Sequence, residues 1–171
     1  RQRQMCIRDS VNCQGEKSKL TPLMLAAQQP DQSIIEQLIN HKAEINKIDS
    51  EGRTALIYAA MTGNTNNVGI LSRQNGVEID EADKAGYTAL IYAAQKGDGG
   101  AVNALLQQGA KVNHETKQSQ VTALMAAAYA GHTGVVKAII DSKATSGVEI
   151  DQKDKNGITA LMCAASQGHI D

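Results

Sequence analysis

The sequence predicts an all-α helical solenoid, in which pairs of short helices stack side by side and are joined by turns. Three observations point to it. First, an apolar phrase opened by threonine recurs: TPLMLAA (21–27), TALIYAA (54–60), TALIYAA (88–94), TALMAAA (122–128) and TALMCAA (159–165). Thr21, Thr54, Thr88, Thr122 and Thr159 stand 33, 34, 34 and 37 residues apart, and self-similarity at a period of roughly 20–50 residues marks a repeat architecture. Second, the 171 residues contain no Trp, no Phe and 4 Tyr. Leu, Ile, Val, Met and Ala must therefore fill the core, which suits helices packed backbone near backbone. Third, no unit is long enough to be stable alone, since isolated helices below about 12–15 residues are marginal in water.

Residues 49–80 show the order of elements in one unit. Asp49-Ser50-Glu51-Gly52 is turn chemistry: Asp bonds nearby amides and Gly takes a positive φ. Thr54 supplies a capping hydroxyl just before an Ala-rich apolar run, so a helix of about two turns is expected over Ala55–Met61. Gly63 ends it. Asn64–Ser72 reads as a second helix, with Val68 and Leu71 at i, i+3 spacing. Gly76-Val77-Glu78-Ile79-Asp80 leads back to the next turn, where Asp83 and Gly86 repeat the roles of Asp49 and Gly52.

This pattern resembles the ankyrin repeat over residues 17–171. Thr21-Pro22-Leu23 matches the family's opening phrase, and Gly131-His132 and Gly168-His169 match its interhelix pair. Gly109-Ala110-Lys111-Val112-Asn113 and Ala43-Glu44-Ile45-Asn46 match its return segment. The resemblance implies an ankyrin-type array with short β-turn fingers and repeats at about 16–48, 49–82, 83–115, 116–153 and 154–171. Residues 1–15 read as a disordered or artefactual tail, because RQRQMCIRDS (1–10) fits no repeat. The fifth repeat stops after its first helix, so the pattern is expected to continue past residue 171.

The departures from the family pattern carry expectations of their own. The phrase's histidine is replaced by Met24, Ile57, Ile91, Met125 and Met162. Its polar bonds to the turn are expected to be lost, with apolar packing in their place. Pro30 occupies the interhelix glycine position and cannot take positive φ, so the first helix of repeat one must end differently. Thr116 and Gln120 stand where the fourth turn should carry Asp and Gly, with one extra residue, so that turn should be distorted. An insertion near Lys143–Ser146 should bulge. Asn64–Asn67 and Asp98-Gly99-Gly100 are poor helix formers, which makes 64–72 and 98–106 the expected soft elements; Ala at Gly99 and Gly100 should stabilise them.

Composition narrows the function. Lys plus Arg number 17 against 18 Asp plus Glu, for a net charge of −1, which gives no electrostatic reason to expect a nucleic-acid or membrane partner. No apolar run reaches the ~18 residues of a membrane span. Cys6, Cys13 and Cys163 have no zinc-ligand or disulfide-framework spacing and read as free thiols of an intracellular, cytoplasmic protein, Cys163 as a small buried hydrophobe. No metal, cofactor or small-molecule substrate is expected. No nucleophile–base pair stands out, and no phosphate-binding Gly-Lys-Ser/Thr loop is present. His132 and His169 read as packing histidines, His41 and His114 as solvated. Tyr58 and Tyr92 read as inter-repeat packing.

The family resemblance implies a non-catalytic protein-interaction scaffold whose concave groove, built from finger tips and first-helix ends, takes a protein partner. Carried over by position, the partner-binding residues are Arg53, Met61, Tyr87, Lys96, Val121, Tyr129 and Ile158. Tyr87, Tyr129 and Arg53 are the anchors, because Tyr and Arg dominate binding hot spots. The alternative is a regulatory segment of a larger enzyme, such as a kinase or ligase adaptor, with its catalytic domain elsewhere.

Overall fold

The structure, a computed structural model, describes residues 11–142 and 147–169. Among them are nine helices in five repeats: α1 Pro22–Ala27, α2 Gln32–Asn40, α3 Ala55–Thr62, α4 Thr65–Ser72, α5 Ala89–Lys96, α6 Gly99–Gln107, α7 Ala123–Tyr129, α8 Thr133–Ile140 and α9 Ala160–Ser166. The described residues contain no named strand, only an isolated antiparallel bridge between Ala82 and Thr88 in the third finger. The expected insertion at Lys143–Ser146 and Cys6 lie outside the described residues.

Every first helix begins for the same local reason. Each of the five threonines is an N-cap in extended conformation, and its hydroxyl accepts the backbone N–H three residues on. That satisfies one of the amide donors a helix start leaves open. Gly63 and Gly97 end α3 and α5 in the left-handed conformation, at φ 71° and 74°. In repeat one, Pro30 denies this ending, and α1 closes through Gln28 with ordinary helical backbone angles. The carbonyls left open are taken by the next repeat: Asn64 donates to the Gln29 carbonyl at 2.6 Å, and Asn67 to the carbonyls of Gln29 and Ala27 at 2.7 and 3.2 Å. Asn67 is fully buried. A poor helix former is kept in α4 because its side chain ties two repeats together.

The helices form two rows. First helices stack in the order α1, α3, α5, α7, α9, second helices in the order α2, α4, α6, α8, and each pair within a repeat also packs together. The Ala-rich phrase makes the close approach possible: Ala59, Ala60, Ala93, Ala94 and Ala127 have essentially no exposed surface. Leu56, Leu90 and Leu124 are buried in the core that both rows share. The residues at the missing histidine position follow the expected apolar substitution, with Met24, Ile57, Ile91 and Met125 buried, whereas Met162 is half exposed at 51%.

Residues 12–15, placed in the tail by sequence, bond into repeat one. Asn12 donates to the Lys42 carbonyl and accepts from the Glu44 amide, and the Gln14 side chain donates to the carbonyls of Lys19 and Ile48. The fourth finger is distorted as expected. Gln120 takes φ 54°, and the Thr116 hydroxyl does what Asp does elsewhere, accepting the Val121 amide at 3.0 Å. Repeat one has the same longer turn, with Lys19 at φ 55°.

One expectation is corrected in α6. A Cβ on Gly99 meets nothing within 4 Å, but one on Gly100 falls 2.5 Å from Thr65 Cγ2. Thr65 cannot turn aside freely, because its hydroxyl bonds the Asp98 carboxylate at 2.7 and 2.8 Å across the repeat boundary. Gly99→Ala is therefore expected to stabilise by about 0.4–1 kcal/mol through the unfolded chain, and Gly100→Ala to destabilise. Urea denaturation of the two variants checks this; equal gains for both would contradict the Thr65 contact.

Candidate functional site

The fingers are built from turn aspartates. One Asp49 carboxylate oxygen accepts the Glu51 and Arg53 amides, both at 2.8 Å, and the other accepts the Tyr58 hydroxyl at 2.6 Å. Asp83 repeats the arrangement with Ala85 at 3.0 Å, Tyr87 at 2.9 Å and the Tyr92 hydroxyl at 2.7 Å. Both carboxylates are buried. This corrects two expectations. The polar tie from first helix to turn is not lost in repeats two and three; it has moved one residue along, from the missing histidine to Tyr58 and Tyr92. Those tyrosines are finger latches as well as packing groups. The signal was an Asp followed nine residues later by a Tyr, present in repeats two and three only. Repeat five has Asp154 and, nine residues on, Cys163, and its Asp154 bonds the Asn156 and Ile158 amides alone.

The latch sets the local electrostatics. Burial pushes the Asp49 carboxyl up, but the Tyr58 hydroxyl, the Arg53 and Glu51 amides and the Arg53 charge outweigh it and hold it below its ordinary value. Burial, followed by the bond to the turn carboxylate, raises both the Tyr58 and Tyr92 phenols. A carboxylate with a lowered folded-state pKa stabilises the fold above its unfolded value and loses that contribution as pH falls through the folded value, here below about pH 4. Tyr58→Phe is expected to cost about 1.5–3 kcal/mol at neutral pH, as for a hydrogen bond to a charged group. The gap from the parent should shrink on acidification to pH 3. Parallel urea titrations at pH 6 and pH 3 measure it, and a gap that widens in acid would contradict the latch.

Adjacent fingers are joined by one backbone bond each: Ser50 N–H to Ser18 carbonyl at 2.9 Å, Lys84 to Glu51 at 2.9 Å, Lys117 to Ala85 at 3.0 Å and Lys155 to Ser119 at 3.1 Å. The His114 ring nitrogen lies 3.1 Å from the Gly86 carbonyl, so this histidine supports a finger and is half-buried, not solvated as expected. The His132 ring seats over Gly97 and lies 3.1 Å from the Gln95 carbonyl. His169 sits over Gly131 in the same way but is exposed. Cys163 is half-buried, and burial raises its thiol pKa, with Asp154 adding to the effect.

The seven candidate partner-binding residues fall on this finger and first-helix face, with unequal access. Tyr129, 57% exposed, and Lys96 stand free at the ends of α7 and α5. Met61, Tyr87 and Val121 are half-buried against the core, and Ile158 is half-buried at the fifth finger. Arg53 is brought together with the latch. Its guanidinium lies over the Tyr58 ring, 6.0 Å from the centre, and interacts with Tyr92 of the next repeat. The Tyr87 and Tyr92 rings stack at 5.1 Å with a 30° tilt. Arg53, Tyr58, Tyr92 and Tyr87 thus form one cluster across two fingers. Among the described residues, no group of three His, Cys, Asp or Glu side chains is placed to hold a metal ion, and no helix is long and apolar enough to cross a membrane.

The family model for ankyrin repeats, in three copies, matches residues 4–83, 23–116 and 90–171. The chain belongs to the ankyrin repeat family. Among curated proteins it is similar to neurogenic locus notch homolog protein 1 of Xenopus tropicalis, 34% identical over 67 residues, which is 39% of this chain and 2% of that protein. It is also similar to the Xenopus laevis protein of the same name, 36% identical over 55 residues, 32% of this chain and 2% of that protein. The chain's match thus spans a small fraction of these relatives' length, and it reflects the shared repeat. Ankyrin repeats serve as protein–protein interaction modules, and this chain has that module's architecture.

Proposed function

We propose that this ankyrin array is a non-catalytic scaffold that receives a protein partner on its finger and first-helix face, with Tyr129, Tyr87 and Arg53 as anchors. The observation that carries the reading is the contrast between a face fixed from within and side chains left free on it. Turn aspartates, the tyrosine latches of repeats two and three and the interfinger bonds hold the backbone, while a large aromatic, Tyr129, is 57% exposed at the end of α7. A preformed surface spares a partner the cost of ordering it, so contact area converts more fully into affinity. Tyr129→Ala is expected to leave the fold intact and weaken partner binding by at least about 1 kcal/mol, the scale that separates energetically important contacts from the rest. Tyr87→Ala should add to the loss but also remove the stack on Tyr92. Lys137→Ala, exposed on the second-helix row, is the control. Affinity measured by calorimetry for any protein captured by the array, with equal losses for Tyr129→Ala and Lys137→Ala, would overturn the placement.

A further inference from the structure

The charge on this face does not follow the charge of the chain. The chain as a whole is at −1. The finger tips and first-helix ends carry Lys17, Arg53, Lys84, Lys96, Lys117 and Lys155, against Glu51 as the acid at those positions. Lys84, Lys117 and Lys155 are exposed and, among the described residues, have no carboxylate partner within 4 Å. Of the turn aspartates beneath, Asp154, next to Lys155, is half-buried with one carboxylate oxygen on the Asn156 and Ile158 amides, and the other two are more fully engaged. Asp49 and Asp83 are buried, with both carboxylate oxygens engaged by amides and tyrosine hydroxyls.

The three lysines also hold one register. Each donates its backbone N–H to the preceding finger at the same rung of the interfinger ladder. The spacing of the row follows the stack of repeats, since packed first helices sit about 8–10 Å apart. A polyproline II chain has three residues per turn and rises about 3.1 Å per residue, so every third side chain points the same way at intervals of about 9 Å. A β-strand puts residues i and i+3 on opposite faces. Polyproline II segments also dock on aromatic surfaces, and Tyr87 follows Lys84 by three residues on the same finger.

We propose, resting on the binding face described above, that its partner presents an acidic, proline-rich segment in polyproline II conformation with a carboxylate at every third residue, one per lysine of the row. The probe is a fluorescein-labelled peptide of four Glu-Pro-Pro units, followed by anisotropy. The comparisons are four Gln-Pro-Pro units and a permuted peptide of the same composition with its glutamates contiguous. The periodic acidic peptide is expected to bind about tenfold tighter than either, from three weak exposed ion pairs acting together. The triple variant Lys84→Glu, Lys117→Glu, Lys155→Glu should lose that margin with an unchanged helical circular-dichroism spectrum.

Equal affinity for the permuted peptide overturns the spacing. Equal affinity for the glutamine peptide, or no binding of the acidic one at millimolar concentration, overturns the acidic partner. Tighter binding of single-stranded oligothymidine than of peptide overturns it in favour of nucleic acid. An amide-shift footprint keeps the two readings apart. Shifts at Tyr87 and Tyr129 with the glutamine peptide as well leave the binding face standing and remove the charge rule. A footprint on α4, α6 and α8 removes both.

Discussion

Leu90→Ala is expected to destabilise the array by about 3 kcal/mol, within the range for a buried leucine truncated to alanine. Leu90 is 2% exposed on α5, which packs against α3 on one side and α7 on the other. The cavity therefore opens in the buried core, beside helices that cannot collapse into it without leaving their own partners. Leu161 occupies the same place in the same phrase but is 79% exposed, and Leu161→Ala should fall within about 0.5 kcal/mol of the parent. Urea titrations of the two variants decide it, and a similar cost for both would mean that the row of first helices is not the core.

Gly86→Ala is the second large effect. Gly86 has φ +90°, and a Cβ there would lie 2.6 Å from the backbone nitrogen of Lys117 and 3.1 Å from Thr116 Cα. The left-handed conformation alone costs a non-glycine residue about 1–2 kcal/mol. The clash adds to this, because it falls on backbone and on the interfinger bond from Lys117 to Ala85. A total of about 3 kcal/mol is expected, with the two halves of the array less tightly coupled, since solenoid stability depends on nearest-neighbour interfaces. Gly63→Ala is the matched control: φ is +71° and nothing stands within 4 Å of the added Cβ, so only the conformational cost of about 1–2 kcal/mol applies. If Gly86→Ala costs no more than Gly63→Ala in equilibrium unfolding, the fingers do not carry load between repeats.

Much of this molecule was legible in the residues alone. The threonine phrase marks each first helix because a hydroxyl cap and an apolar run act locally, within one turn of the chain. Gly63 and Gly97 end helices for a reason equally local, the freedom of glycine at positive φ. The candidate binding face followed from position within the repeat. What could not be read depended on which side chains meet across a repeat boundary. Gly99 and Gly100 look alike in sequence, yet one faces open space and the other faces Thr65. Asn67 looks like a weak helix residue until its amide is found on the carbonyls of Ala27 and Gln29, some forty residues back.

The latch tyrosines lie between these cases. Asp49 with Tyr58, and Asp83 with Tyr92, share a nine-residue spacing that is visible in the sequence. Only the packed turn shows that the spacing brings a hydroxyl to a buried carboxylate.

By itself, the sequence determined the number, order and kind of helices, because periodicity, capping and chain-breaking glycines act over a few residues. The tertiary structure alone decided which of five near-identical phrases is core and which is surface, which glycines tolerate a side chain, and which aspartates are latched. The physical reason is that burial belongs to the stack: Leu90, on α5 packed between α3 and α7, loses its water, and Leu161, at the same place in the phrase on α9, keeps it.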